Sequence, residues 1–307
     1  MRRAFIDSLL ALAAHDDSIV LLTGDLGYTV VEPFVERHPD RFFNVGVAEQ
    51  NMLGIATGLA QSGYTPFAYS IATFASMRGY EFIRNGPVLH ELPVRIVGVG
   101  DGFDYGPNGP THYPLEDIGL MRLQPGLDVI APADPAQTRA AMDALATEPG
   151  PAYIKLGKGG GSVAGLDGRF RLGRAELIGS GEDVAILACG GMAGPAVEAA
   201  GLLAAEGVDA TVAVIASVSP APLEDLAELL GRVPLTIALE AHYVTGGLGS
   251  LACEVVAERG LDCRVIRHGV REVPRGESGS TLHLHRRHGL TARAVADSAV
   301  SVLNSSR

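Results

Sequence analysis

Glu49 is an acid placed where a helix should begin. Before it, Arg41-Phe-Phe-Asn-Val45 is short, apolar and β-leaning; after it, Leu53 to Ala60 is small and apolar, with Gly54 and Gly58 four apart. The intervening Gly46-Val-Ala-Glu-Gln-Asn-Met52 reads as a tight turn from a strand into a helix that packs closely on a neighbour. A carboxylate at such a turn has two uses. It complements the positive end of the helix dipole; or, once buried, it keeps or shares a proton, because loss of water disfavours its charged form. His112 offers complementary chemistry. It ends Gly106-Pro-Asn-Gly-Pro-Thr-His112, in a loop that follows the apolar run Val94-Arg-Ile-Val-Gly-Val99. Loops after parallel strands are where α/β sheets bind ligands, and an imidazole held there moves protons to and from a bound molecule. The bland alternatives are solvation for a lone loop histidine and core packing for Phe74, in Ser70-Ile-Ala-Thr-Phe74.

Holding these side chains takes a regular scaffold. Ile19–Thr23, Val94–Val99, Leu127–Ile130 and Ala152–Leu156 read as buried strands between helical segments. Phe5, Leu9 and Leu12 keep helical spacing and Asp7 interrupts the apolar N-terminal stretch, so Met1 to Ala14 reads as a first helix and not as a secretion signal. Asp134 is a natural N-cap and Pro135 a natural first residue for a helix over 135–147. Residues 157–173 carry seven glycines and read as a linker. Beyond it, Val184–Ala188, Ala210–Ile215, Leu235–Leu239 and Cys263–Ile266 read as strands, with an alanine-rich helix over Ala196–Ala205. The alternation predicts two α/β domains with mostly parallel sheets, over 1–156 and 174–307.

Composition narrows the function. The chain has 307 residues, 47% apolar and 19% charged, which supports a large core. A net charge of −11 argues against nucleic acid or an anionic membrane as partner. No apolar run is long enough to span a bilayer. Cys189, Cys253 and Cys263 are odd in number and lack metal-ligand spacing, as expected of reduced thiols in a cytoplasmic protein.

The run Val45 to Met52, then Pro66-Phe67, then Arg78-Gly-Tyr-Glu-Phe-Ile-Arg-Asn85 resembles the pyrimidine-binding domain of transketolases. Glu240-Ala-His-Tyr-Val-Thr-Gly-Gly-Leu-Gly-Ser250 is similar to the C-terminal domain of that family, so the likeness covers essentially the whole chain, as the C-terminal half of such an enzyme. The resemblance implies thiamine diphosphate as cofactor. It implies that Glu49 hydrogen-bonds N1′ of the aminopyrimidine and so promotes proton loss at thiazolium C2. It implies that Phe74 lies against the aminopyrimidine, with Ile71 apolar beside it but unable to stack, that Asp25 lies near the cofactor, and that His112 faces the reacting carbons. Arg3, Thr29 and Lys158 fall where the family holds the substrate phosphate. Lysine at 158 replaces an arginine and loses bidentate geometry. Gly100 stands where relatives carry a histidine near that phosphate, which removes a donor and opens space. Asn108 stands where they carry an aspartate touching a substrate hydroxyl; the change keeps the size, removes a charge and adds donors. Together these departures point to two-carbon ketol transfer onto an altered acceptor, non-phosphorylated, sulfonated or otherwise modified.

Gly100-Asp-Gly102 mimics the motif that opens the magnesium and diphosphate site in these enzymes, but Leu127 to Ala131 supplies no closing asparagine. No metal site is assigned to this chain. Mg2+ and the diphosphate are expected on a separate N-terminal transketolase subunit, in an α2β2 heterotetramer. Two other readings stand beside this one: a β-type subunit of another thiamine diphosphate enzyme (a 2-oxoacid dehydrogenase or a deoxyxylulose-phosphate-synthase-like half), and a non-catalytic subunit. The stretches Gly-Pro-Thr-His and Arg-Gly-Tyr-Glu-Phe-Ile-Arg fit a transketolase better than the first, and joint retention of Glu49, Phe74 and His112 argues against the second. The glycines of 246–249 could cradle an anion ahead of a helix, but without a phosphate-loop lysine close packing is expected. His283, His285 and His288 are expected at the surface.

Overall fold

Twelve strands form two sheets in this computed structural model, which describes residues 1–305; Ser306 and Arg307, the end of the expected second unit, lie outside the described residues. In chain order the strands are β1 (Ile19–Thr23), β2 (Phe42–Asn44), β3 (Thr65–Ile71), β4 (Arg95–Val99), β5 (Asp128–Ile130), β6 (Ala152–Leu156), β7 (Glu176–Ile178), β8 (Val184–Ala188), β9 (Ala210–Val214), β10 (Ser217–Ser219), β11 (Leu235–Tyr243) and β12 (Arg264–Val270). The first sheet runs β10-β5-β6-β4-β3-β1-β2 and the second β12-β11-β8-β9-β7. Pairing is parallel except at one edge of each sheet, β10 on β5 and β7 on β9. Strands β1, β4, β6 and β8 are buried along their whole length, as parallel strands covered by helices on both faces must be. The expected α/β architecture is therefore present. The helix Arg2–Ala13 packs Phe5 against Phe67 and Tyr69 of β3.

Residues 157–173 join β6 to β7 and do not hang free. Asp134 caps the helix Pro135–Leu145 through Gln137 N, as expected, and its second oxygen accepts from Val163 N at 2.9 Å. Gln137 donates to Arg169 O, and Leu166 is fully buried. Buried side chains thus satisfy the loop's backbone groups, which a glycine count cannot reveal. Nor do the two units separate cleanly. Strand β10, from the second unit, pairs antiparallel with β5 of the first, and Ala131 N donates to Ala216 O. One apolar cluster consequently runs from Val129 and Tyr153 to Ile215, Val218 and Leu226.

Beneath the first sheet's carboxyl edge lies a buried charge cluster. Lys155 of β6 is 3% exposed and reaches Asp117 Oδ1 at 2.9 Å and Asp101 Oδ1 at 3.1 Å. Tyr153 donates to the other oxygen of Asp117. Burial works to lower the Lys155 pKa, but Asp117 and Asp101 outweigh it and hold the ammonium above its usual range. Lys155→Met should leave two buried carboxylates unpaired and cost about 3–5 kcal/mol. Urea unfolding of the two proteins measures this; a loss under 1 kcal/mol would mean that water already reaches the cluster.

Candidate active site

Strand β1 ends in the turn Gly24-Asp25, and Val45 N donates to Thr23 O before the chain turns into the helix Glu49–Gln61. Glu49 is the first residue of that helix and is 2% exposed. Its carboxylate makes no cap bond to its own helix. Instead Oε1 accepts from Ser70 Oγ of β3 at 3.2 Å, and Oε2 accepts from Arg78 Nη1 at 2.9 Å. The turn after β1 closes the same spot: a Cβ on Gly24 would lie 3.5 Å from Glu49 Oε1. Glu49 is thus paired with Arg78, a residue the sequence reading quoted without a role.

Phe74 and Arg78 begin and end a π-helical turn just after β3. Such turns recur at functional sites because they re-aim side chains. Here the turn brings the Arg78 guanidinium over the Phe74 ring, with Cζ 3.9 Å from its centroid. Ile71, half-buried at the end of β3, is apolar as expected. Val47, Glu49, Gln50, Asn51 and Arg78 line a cleft of about 520 Å³ at this point. Glu49 and Phe74 both touch one flat, hydrogen-bonding cation, so the slot between them fits a planar group such as an aminopyrimidine.

The loop after β4 brings in the histidine. His112 meets the edge of the Phe74 ring at 5.1 Å between centroids, and Tyr105 lies 6.0 Å away on its other side. Thr111 Oγ1 is 3.0 Å from His112 Nδ1. Lys158, just past β6, sets its ammonium 4.2 Å from the centroid of Tyr105. Glu49, Arg78, Phe74, His112, Tyr105 and Lys158 therefore form one unbroken line along the carboxyl ends of β3, β4 and β6.

Other expected residues lie elsewhere. Arg3 is 76% exposed and paired with Asp7 on the outer face of its helix. Burial raises the Tyr105 phenol pKa, and the charge of Arg2 on the same helix as Arg3 opposes this. Thr29 is exposed at a positive φ of 68°, with its N–H given to Glu32. Asp25 is exposed and accepts from Asn44 and Tyr28, which hold its pKa down in that order. It sits in the turn beside Glu49 without touching it. Asn108 is exposed on the loop, its N–H given to Tyr105 O. Gly100 corrects a further expectation. No space opens there, because the Tyr105 ring fills it; a Cβ on Gly100 would lie 2.6 Å from that ring, and φ is +104°. Tyr105 was legible only as one aromatic in a glycine-rich loop.

The second unit clamps this loop. Tyr113 donates to the carbonyls of Gly106 and Glu277, and Thr281 donates to Phe103 O. Gly106 has no room for a Cβ, which would collide with Gly279 O. His288 stacks on Phe103 at 5.0 Å and His285 meets its edge at 6.1 Å, so these two are not the surface residues expected; His283 is exposed. The glycines at the start of the helix Leu248–Arg259 pack closely, as expected, since a Cβ on Gly247 would collide with Glu240 Oε2, and the first turn of the helix binds that carboxyl. Glu240 accepts from Leu248 N at 2.7 Å and Gly249 N at 2.9 Å. A larger cleft of about 630 Å³ lies between Arg267, Arg271 and Arg287, but none of the aligned residues lines it. Among the described residues, no group of three or more His, Cys, Asp or Glu is placed to hold a metal, and no helix is long and apolar enough to cross a membrane. Asp101, in the Gly-Asp-Gly triplet, is taken up by Lys155 and by Gly191 N.

Comparison with known proteins shows the family. A family model described as the transketolase pyrimidine-binding domain matches residues 1–161, and one described as the transketolase C-terminal domain matches 173–295. The chain is 38% identical over 306 residues to the 6-deoxy-6-sulfo-D-fructose transketolase subunit SqwH of Clostridium sp. (strain MSTE9), covering 98% of this chain and 94% of that protein. It is 33% identical over 309 residues to the 1-deoxy-D-xylulose-5-phosphate synthase of Heliobacterium modesticaldum, covering 99% of this chain and 47% of that protein. Among solved structures, a split gene transketolase described as an inactive beta4 tetramer superposes with a TM-score of 0.89 at 39% identity, over 100% of this chain and 98% of that one.

Proposed function

The chain belongs to the transketolase family, and from that premise we propose that it is the cofactor-activating half of a split transketolase, moving a two-carbon ketol unit from a ketose donor to an aldehyde acceptor together with a partner subunit. The observation that carries this reading is the continuous line from Glu49 to Lys158. Thiamine diphosphate, when bound, supplies the carbon nucleophile and electron sink that carbon–carbon cleavage needs. This chain's residues then do the rest. Glu49 holds N1′ of the aminopyrimidine, with Ser70 fixing one carboxylate oxygen. Phe74 and Ile71 wall the ring. His112, with Nδ1 beside Thr111, has Nε2 to move a proton to or from a substrate hydroxyl. Asp25 shapes the turn beside Glu49, and Asn108 stands at the loop's rim toward the substrate.

The diphosphate and Mg2+ fall to the partner. Val47, Ile55, Met77 and Phe82 are exposed apolar residues around Glu49, and they suit a subunit docked over the cleft. An α2β2 assembly would place each Glu49 across that interface. Lys158 suits the far end of the substrate, because among the described residues the Tyr105 ring is the one partner of its ammonium. An anionic tail, phosphate or sulfonate, fits it. The sulfo-sugar in the name of one relative supports including sulfonated aldehydes among the acceptors. In the complex, Lys158→Ala should raise KM for an anionic acceptor about 10- to 100-fold, the worth of one charge-assisted hydrogen bond, and leave a neutral one unchanged. Equal losses for both would remove Lys158 from the substrate site. Gly100→His should destabilise the loop and not regain a contact to a substrate phosphate, given Tyr105 in its way.

The experiment is to assay the assembled complex for ketol transfer from a ketose phosphate, and separately for condensation after pyruvate decarboxylation. The likeness to 1-deoxy-D-xylulose-5-phosphate synthase favours the second reaction as the alternative. Ketol transfer without pyruvate decarboxylation is expected. The reverse outcome would assign the chain to the alternative.

A further inference from the structure

Arg78 stands where the cofactor's ring is expected. Its Nη1 is 2.9 Å from Glu49 Oε2, and its Cζ is 3.9 Å from the Phe74 centroid. One hydrogen bond to Glu49 and one face against Phe74 are the two contacts that the proposed function gives to the aminopyrimidine. A guanidinium imitates such a ring: it is flat, it donates in its plane and it stacks through its face. The two occupants exclude each other in space. They also ask opposite things of Glu49. Arg78 requires a carboxylate that only accepts, whereas an unprotonated ring nitrogen requires a carboxyl that donates.

The guanidinium is free to leave. The Arg78 side chain is 46% exposed, while that of Glu49 is 2% exposed, and Arg78 lines the mouth of the cleft. It closes the π-helical turn Phe74–Arg78 and is followed by Gly79. The other neighbours of the Glu49 carboxylate, Ser70 Oγ and the Gly24 turn, are neutral. Arg78 is therefore the one cation bonded to it among the described residues.

We propose that Arg78 is a mobile placeholder: in the cofactor-free chain it neutralises Glu49 and fills the slot on Phe74, and it swings to solvent when the aminopyrimidine enters. This rests on the function proposed above. Its use is physical. A buried carboxylate without a partner is strongly destabilising, and the chain must hold Glu49 ready before the partner subunit brings the cofactor. The consequence is a competition, because apparent affinity falls by the fraction of molecules in which the slot is open.

The test is calorimetric titration of thiamine diphosphate with Mg2+ into the complex of this chain with its diphosphate-binding partner. Wild type, Arg78→Ala and Arg78→Gln are compared, the last in case the alanine variant does not fold. Both variants should bind roughly 3- to 30-fold more tightly than wild type. Side-chain 15N NMR of Arg78 gives a second readout. In the isolated chain Glu49→Gln should shift its Nε resonance to that of an unpaired guanidinium, and in the wild-type complex the cofactor should do the same. Unchanged or weaker binding in the variants, or an ion-paired Arg78 in the cofactor-bound complex, overturns the placeholder alone. If the wild-type complex binds no thiamine diphosphate, the proposed function fails and the placeholder with it.

Discussion

Glu49→Gln in the assembled complex should slow hydrogen–deuterium exchange at cofactor C2 by about 10²–10⁴-fold, the usual contribution of a positioned acid–base group. The fold should survive. Glutamine is nearly isosteric, and its carbonyl still accepts from Ser70. Arg78 is already half exposed, so losing the ion pair leaves no buried cation behind. What glutamine lacks is the ability to exchange a proton with N1′. Proton NMR of C2 exchange, read beside thermal unfolding of the same variant, separates the two effects. Near-wild-type exchange would return Glu49 to a structural role as the partner of Arg78 at the start of its helix.

His112→Ala should give a different signature. Turnover in ketol transfer should fall by about 10²–10⁴-fold, while C2 exchange stays near wild type. The separation follows from geometry. His112 touches Phe74 and Tyr105, on the Lys158 side of the site, and makes no contact with Glu49. Its loop is held from outside by Tyr113, Thr281 and the Phe103–His288 stack, so truncating one imidazole should not unseat it. Single-turnover assays of donor cleavage, beside C2 exchange on the same preparation, measure both effects. Loss of C2 exchange in this variant would mean that His112 acts on cofactor activation.

Much of this arrangement was legible in the chain. β1 and β6 are apolar runs bounded by turn residues, and both fall where the pattern puts them, at Ile19–Thr23 and Ala152–Leu156. Asp134 and Pro135 announce their helix start. Glu49 and His112 drew attention because each follows an apolar run in a glycine-containing turn, and the resemblance to transketolases supplied their expected roles. Strand β3 was harder to see, since Thr65-Pro66 opens it and Ser70 interrupts its apolar run. β10 is three residues long and pairs across units, so no local signal marks it. Arg78 and Tyr105 escaped for another reason. An arginine or tyrosine on a polar stretch reads as solvated, and only the folded π-turn and loop show which ring each one covers. Arg3 lies exposed beside Asp7, and sequence position alone does not say which face of a helix, at about 100° per residue, a side chain takes.

The most direct measurement is C2 hydrogen–deuterium exchange of thiamine diphosphate with Mg2+, followed by proton NMR in three samples: this chain alone, the diphosphate-binding partner alone, and both together. Among the described residues this chain has no group placed to hold the metal, yet it carries the buried carboxylate. Rapid exchange is therefore expected only in the mixture, and it should disappear from the mixture made with Glu49→Gln. Rapid exchange with either polypeptide alone, or none in a wild-type complex that binds the cofactor, would contradict the assignment of cofactor activation to this chain.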